Sequence, residues 1–267
     1  MTNTNSPPAR STLGLLPTPR RVPFDAPWNW LSAGWMDIWR APHISLAYGI
    51  AVVVGAGIVM LGLSSLQAVS LFLALAGGFL LVGPLLAVGL YETSRRHALG
   101  VPVRFKDVTS VPYAARGQLG FFGAMLMFGF LAWLQLGFLL FMLFLGGSGL
   151  PPPSAFMQEL LFTPRGLGLL VVGTLVGGSF ATLVFAASAL AVPMLMVRQT
   201  DAVTAARASL AAVILNWQPM ALWAGLIVVI MAAGFATLLA GLALAFPLIG
   251  HATWHAYTDI YGEVSGR

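Results

Sequence analysis

Long apolar stretches alternate along the chain with short polar segments that carry almost all of the charged residues. A helix needs about 20 apolar residues to cross a bilayer. Four charge-free stretches are at least that long, and they lie between Arg40 and Glu92, Arg116 and Glu159, Arg165 and Arg198, and Arg207 and Asp259. The pattern predicts an all-α protein, a polytopic transmembrane helical bundle.

The first and the last apolar stretch each have room for two spans, which gives about six spans in total. The expected breaks are "LSSLQ" (63–67) and "LLAGLAL" (238–244), and Pro247 favours a separate final helix over one long span. A single span at this end stays open as the alternative. The predicted spans lie near 44–63, 68–90, 119–145, 167–193, 219–240 and 242–260. They form one transmembrane domain (25–262) between a disordered cytoplasmic leader (1–24) and a cytoplasmic tail (263–267).

Composition strengthens this interpretation and removes several classes of chemistry. Apolar residues make up 58% of the chain and charged residues 8%, against roughly 25% charged in an ordinary soluble domain. The net charge of +5 does not indicate a nucleic-acid partner, because the basic residues flank the predicted spans. The absence of cysteine excludes disulfides, thiolate catalysis and Cys-ligated metal centres.

The basic residues also predict the orientation. Of the 13 Lys and Arg residues, only Arg165 falls on the opposite side of the predicted spans from the others. The positive-inside rule then places both termini of this multi-pass protein in the cytoplasm. An even number of spans agrees with this orientation, whereas five spans would put the C-terminus outside.

Three polar segments are expected to form amphipathic helices at the membrane interface. The clearest is "DAPWNWLSAGWMDIWRAP", in which Trp28, Leu31, Trp35 and Ile38 recur at helical spacing and Asp37 is expected to face water. The other two are "TDAVTAARASLAAVILNW" and "FKDVTSVPYAARGQ". Aromatic side chains expected to anchor the protein in the headgroup zone are Trp28, Trp35, Trp39, Trp254 and Tyr257.

The order of segments suggests an internal repeat. Each of three units would hold an interfacial segment, a span, and a second span with a proline near its cytoplasmic end (Pro84, Pro193, Pro247). Prolines are also common in membrane helices in general, which explains the same pattern without a repeat.

The C-terminal stretch "HATWHAYTDIY" is the nearest approach to a chemical motif. His251, His255 and Asp259 are spaced by four and form one helical stripe, which makes them weak candidates for a metal site. A haem ligated by one histidine is a further alternative. We expect neither, and no cofactor, because an exit zone rich in His and aromatic residues is typical of a helix leaving the lipid. The other two histidines are His43 and His97.

Signals of catalysis and of ion transport are weak. We find no nucleophile–base pair and no phosphate-binding glycine loop, so the chain is not expected to be an enzyme. No ionisable side chain lies within a predicted span apart from groups at the cytoplasmic ends, which counts against an ion-coupled transporter. Gln135 is the one strongly polar side chain in mid-span, and we interpret it as a residue that joins helices. Glu92, Arg95 and Arg96 are expected to form a local ion pair.

Three stretches carry a resemblance to a known family: "WNWLSAGWMDIWRAPHISLAYG", "GPLLAVGLYETSRR" and "PLIGHATWHAYTDIY". With these, the chain over about 25–262 is similar to the bacterial family of integral membrane proteins called domain of unknown function 2189. The resemblance implies a helical inner-membrane protein and no particular activity. Some members are labelled as a cytochrome c oxidase subunit, but the four histidines of this chain are too few for the catalytic subunit.

The function expected from these observations is a non-catalytic scaffold or an accessory subunit of a membrane complex. Its partners would be the lipid bilayer, other membrane proteins or further copies of the chain, and no nucleic acid. A transporter of small molecules or lipids is the first alternative, because proline-broken helices can line a cavity. A respiratory subunit that binds haem or metal is the second.

Overall fold

The computed structural model describes residues 17–66, 71–109, 113–148 and 153–262, and the ordered elements in these ranges are helical. The α-helices are α1 (Ala26–Arg40), α2 (Pro42–Ser65), α3 (Phe72–Leu86), α4 (Val88–Ala98), α5 (Phe105–Thr109), α6 (Tyr113–Leu145), α7 (Pro153–Phe162), α8 (Pro164–Ser188), α9 (Ala191–Val197), α10 (Ala202–Leu215), α11 (Trp217–Ala236) and α12 (Leu242–Tyr261). The predicted all-α membrane bundle is confirmed.

Within the described ranges, four helical segments are long and apolar enough to cross a membrane. They are Pro42–Ser65, Arg116–Leu145, Pro164–Val197 and Trp217–Ala236. The pair Leu75–Leu86 and Val88–Ala98, bent by 41°, adds a fifth if it counts as one span. The helix α12 is not among them, since its second half carries His, Thr and Asp side chains. The count of six spans therefore stays a prediction.

The two ends of the described chain meet at one end of the bundle. The backbone N–H of Arg20 donates to the carbonyl of Ile260 at 2.8 Å. The side chain of Asn216, between α10 and α11, accepts from the N–H of Val22 at 3.0 Å and donates to the carbonyl of Arg20 at 2.9 Å. A disordered leader extending to residue 24 is therefore wrong for residues 17–24, because helix ends supply hydrogen-bond partners that composition does not reveal. Residues 1–16 and the predicted tail 263–267 lie outside the described residues.

Helices of each unit in the proposed repeat pack on helices of the unit before it, and those of the first unit pack on the third. The short helix α1 packs on α12, α5 packs on α4, and α10 packs on α8 and α9. Helices α1 and α10 therefore lie against helices that carry a proline of the neighbouring unit in the proposed repeat, Pro247 in α12 and Pro193 in α9, whereas α5 lies against α4, which follows Pro84. The helices α2 and α6 likewise pack on α12 and α3, but over the described residues α11 does not pack closely along α8.

Helix α12 lies at the centre of this arrangement, and two glycines allow its neighbours to approach. Gly34 of α1 lies against the backbone of Ala252, and Gly49 of α2 lies against the carbonyl of Ala243. Pro247 lacks the N–H that would bond to the carbonyl of Ala243 inside the helix. A side chain at Gly49 would occupy the space of that carbonyl, so this crossing requires glycine.

The central position of α12 changes the role of its aromatic residues. Trp254 and Tyr257 are fully buried in the main core, so their prediction as interfacial anchors is wrong. The reason is that α1, α2, α4 and α11 surround α12 and leave it little surface. Trp28, Trp35 and Trp39 of α1 are exposed, as an anchoring role requires.

Candidate functional site

A buried carboxylate joins three helices near the end of the bundle where Arg20 bonds to Ile260. Asp37 of α1 is 1% exposed. Its Oδ1 lies 3.1 Å from Nδ1 of His97 in α4, and its Oδ2 lies 2.8 Å from Nε2 of His255 in α12. Arg40 approaches Oδ1 at 3.3 Å from the exposed side. The expectation that Asp37 faces water is wrong, because this side of α1 is covered by α12.

The hydrogen bonds at Asp37 favour its charged form. Burial by itself raises the pKa of a carboxyl group. At Asp37 this effect is outweighed by the hydrogen bonds with His255, His97 and Ser94, which hold its pKa well below the usual range. Near neutral pH the carboxylate therefore accepts hydrogen bonds between α1, α4 and α12.

The three residues of the C-terminal stripe have three different sets of partners. His251 is buried between the hydroxyls of Ser45 and Ser94, at 2.9 and 2.8 Å from its two ring nitrogens. His255 bonds to Asp37, and Asp259 accepts a hydrogen bond from the indole N–H of Trp30 at 2.9 Å.

This division of partners leaves no metal site among the described residues, which hold no group of three His, Asp or Glu side chains arranged as ligands. His43 is exposed at the start of α2 and takes no part in the cluster. These hydrogen bonds hold α1, α2 and α4 against α12.

A second polar group lies at the end of α4. Glu92 forms the predicted ion pairs, with Arg95 at 2.7 Å and Arg96 at 2.9 Å. Arg96 also reaches Asp107 of α5 at 3.2 Å, which extends the local pair into a tertiary contact.

Sequence reasoning missed Asp37, His97, Ser45 and Ser94 as partners of the C-terminal histidines. The helical stripe chosen for α1 ran through its tryptophans and placed Asp37 on the opposite side. A usable signal was present in the spacing of Trp30, Gly34 and Asp37, which lie on one face of the helix. The glycine on that face is where the helix approaches α12.

A large cavity opens where α11 and α8 fail to pack against each other. Its volume is about 820 Å³. Its walls come from α3, α8, α11 and α12, with Tyr91 of α4 and Val213 of α10 at the edges. We call it the lateral cavity, because exposed lining residues such as Gly178, Val228 and Val229 form its outer rim.

The lining of the lateral cavity is apolar. Among the described residues, no Asp, Glu, Lys, Arg or His side chain lines it. The hydroxyls of Thr182 and Thr253 lie in the wall, but each donates to a carbonyl of its own helix, at 2.8 and 2.7 Å. The cavity therefore offers few free polar groups to a ligand. The cluster around Asp37 lies on other faces of α4 and α12 and does not line it.

Comparison with known proteins gives one match. Residues 71–197, from α3 to α9, match the model of a family described as predicted integral membrane protein (DUF2189). The resemblance inferred from the sequence is confirmed over these residues, which include "GPLLAVGLYETSRR". The stretches near 28–49 and 247–261 lie outside the match. No curated protein and no solved structure matches the chain.

Proposed function

We propose that this integral membrane protein, similar over residues 71–197 to a family without an assigned activity, binds a membrane lipid in its lateral cavity and acts without catalysis. The single observation that carries the proposal is the apolar cavity between α8 and α11. The proposal develops the lipid form of the transporter alternative and leaves the direction of any transfer open.

The size and the chemistry of the lateral cavity both favour acyl chains. Ligand pockets usually have volumes of about 300–1,000 Å³, and they bind by apolar contact with a few polar groups for orientation. A volume of about 820 Å³ falls within that range. A polar solute would lose its hydration in this cavity and find few hydrogen-bond partners in return, chiefly the indole N–H of Trp223, which has no other partner among the described residues. A lipid chain loses nothing when it moves from the bilayer into such walls.

The position of the lateral cavity supports entry from the bilayer. The helices α8 and α11 both contain candidate membrane spans, and the gap lies between them. A lipid could therefore enter sideways between the two helices without passing through water. The bent and broken helices around the gap are typical of membrane proteins that enclose a site.

The experiment is to fill the lateral cavity and measure bound lipid. Gly178 and Gly225 line it, and a Cβ built on either meets no atom within 4 Å. The variants Gly178→Phe and Gly225→Phe should fold and exclude the ligand. Gly57 of α2 is equally open but lies outside the cavity, so Gly57→Phe is the matched control.

Native mass spectrometry of purified protein is expected to show one retained lipid in the wild type and in Gly57→Phe. Little or none should remain in the two cavity variants. The same retention in all four proteins, or none in the wild type, would overturn the proposal.

We also propose that the protein lies in a bacterial inner membrane with both termini in the cytoplasm. The hydrogen bond between Arg20 and Ile260 supports this, because termini that meet at one end require an even number of crossings. The basic residues around that end support the cytoplasmic side.

The role as a scaffold or accessory subunit stays a second proposal. It is favoured by the outer surface of α2, which other parts of the chain hardly cover. Purification in a mild detergent should then retain a different protein at a fixed stoichiometry. A respiratory role gains less support, because both ring nitrogens of His251 and Nε2 of His255 are already in hydrogen bonds.

A further inference from the structure

We propose that the outward face of α6 binds the same face of a second copy of this chain, and that Gln135 fixes the register of the two helices. The proposal depends on α6 alone and is independent of lipid binding in the lateral cavity.

Gln135 points away from the rest of the bundle. Two positions earlier, Trp133 packs between Gly77 of α3 and Gly177 of α8. Residues two apart are separated by about 200° around an α-helix. Gln135 therefore lies on the opposite side of α6 from the helices that Trp133 contacts, and its side chain is exposed.

The depth of Gln135 makes this exposure costly. The candidate span runs from Arg116 to Leu145, and Gln135 lies ten residues from its end. That is about 15 Å along a helix, which is half of a hydrocarbon core about 30 Å thick. An amide facing lipid tails there has no water to bond with, so it favours a protein partner.

The neighbouring polar side chains in the same region are satisfied within their own helix. Ser179 and Thr182 of α8 each donate to the carbonyl four residues earlier at 2.8 Å. Among the described residues, the amide of Gln135 has no hydrogen-bond partner. On this surface of the described chain, Gln135 is therefore the polar side chain that lacks a hydrogen-bond partner.

The residues around Gln135 form a regular seam. Exposed side chains and glycine recur at alternating steps of four and three, which is the spacing that brings two helices together in a left-handed coil. The seam consists of Gly117, Phe121, Ala124, Phe128, Leu131, Gln135, Phe138 and Met142. Only 6% of the most apolar part of this helix is buried within the chain, so almost all of the seam is available.

The chemistry of Gln135 favours a second copy over a different protein. Two copies inserted in the same orientation present parallel α6 helices, and a two-fold axis between them brings each seam residue opposite its own equivalent. An amide carries both a donor and an acceptor, so two Gln135 side chains can bond to each other without any other group. A single polar residue within an apolar seam is a known means of setting register and number of strands.

Cysteine cross-linking in native membranes tests the surface directly, because the chain contains no cysteine. Leu131→Cys and Phe138→Cys lie on the seam one turn before and after Gln135. Val54→Cys on α2 and Leu183→Cys on α8 are equally exposed controls away from it. Oxidation is expected to produce a disulfide-linked homodimer from the two seam variants and little from the controls.

The role of Gln135 is tested by Gln135→Leu, with Gln135→Asn as the variant that keeps the amide. An interhelical hydrogen bond in a membrane contributes about 0.6–2 kcal/mol, so the dimerisation constant should fall about threefold to thirtyfold in Gln135→Leu. Energy transfer between labelled copies in liposomes measures this, and Gln135→Asn should lose less. Dimerisation of Gln135→Leu at the wild-type level would overturn the proposal. So would equal cross-linking of seam and control cysteines, or cross-linking only to a different protein.

Discussion

At the scale of single residues, Asp37 is the side chain whose role is best defined. It is buried, ionised and shared between His97 and His255, which come from two other helices. A hydrogen bond to a charged group contributes about 1.5–3 kcal/mol to stability. Asp37 is therefore expected to stabilise the packing of α1 on α4 and α12.

Replacing Asp37 with Asn tests this role. The amide keeps the shape but loses the charge and one acceptor oxygen, so the free energy of unfolding should fall by about 1.5–3 kcal/mol. Asp25 is exposed and its side chain forms no cap bond, so Asp25→Asn is the matched control and should change stability by less than about 0.5 kcal/mol. Equilibrium unfolding in mixed detergent micelles measures both. Equal stability of the two variants would show that Asp37 has no structural role.

The difference in stability between the wild type and Asp37→Asn should depend on pH in a defined direction. Because the folded-state pKa of Asp37 is lowered, its contribution is complete above its unfolded pKa of about 3.9. It is lost as the pH falls from there towards the folded-state value. The stability difference between wild type and Asp37→Asn should therefore persist from pH 8 to pH 5 and shrink below about pH 4. A difference that disappeared already at pH 6 would contradict the assignment.

The histidines of the C-terminal stripe should bind neither haem nor metal. Their nearest partners are serine hydroxyls and one carboxylate, which are typical of structural hydrogen bonds. Purified protein is expected to show no haem absorption band and no stoichiometric zinc, copper or iron. A metal or haem signal that is present in the wild type and lost in His255→Ala would reverse this interpretation.

At the scale of elements, the break between α8 and α9 shows how the backbone of an interrupted membrane helix is satisfied. The hydroxyl of Ser209 in α10 donates to the carbonyl of Ala186 at 2.8 Å and accepts from the N–H of Leu190 at 3.1 Å. In an unbroken helix these two backbone groups would bond to each other. The Ser209 hydroxyl thus replaces one backbone hydrogen bond of the helix at the break, and a side chain inserted in this way is a recognised cause of helix interruption.

Removing the Ser209 hydroxyl should leave two buried backbone groups without partners. Ser209→Ala is expected to lower the free energy of unfolding by about 1–3 kcal/mol. Ser179 donates only to a carbonyl within its own helix and is exposed, so Ser179→Ala provides the control and should be close to neutral. The same unfolding titration compares them. If Ser209→Ala were as stable as Ser179→Ala, the break between α8 and α9 would not depend on this side chain.

At the scale of the whole molecule, the hydrogen bond between Arg20 and Ile260 places the two ends of the described chain at the same end of the bundle. Helix α11 begins beside Asn216, which bonds to Arg20, and α12 returns the chain to the same end. This arrangement favours an even number of crossings, which stays a prediction. By composition alone α12 is not a span candidate, because its second half carries His, Thr and Asp side chains. Other helices enclose most of this half, so it can lie within the bundle.

Reporter fusions test this topology in cells. A fluorescent protein fused after Arg267 should be bright and alkaline phosphatase at the same site inactive, as a cytoplasmic C-terminus requires. Fusions at Leu150 should behave in the opposite way, because that position follows the third predicted span. Active phosphatase after Arg267 would exclude both the orientation and the six-span count.

The sequence by itself determined the class of the protein and the approximate positions of its helices. Both depend on local properties, namely the length of an apolar stretch and the charges that flank it. The ion pairs of Glu92 were also predictable, because their partners lie three and four residues away on one helix.

The tertiary structure alone decided which helix faces met. Asp37 and His255 are separated by 218 residues, and no periodicity in either helix identifies the other as its partner. The burial of Trp254 and Tyr257 and the lateral cavity likewise depend on the position of α12 and on the gap between α8 and α11. The physical reason is that lipid and protein interior are equally apolar, so in a membrane protein hydrophobicity identifies a helix but does not distinguish the face that packs from the face that meets lipid.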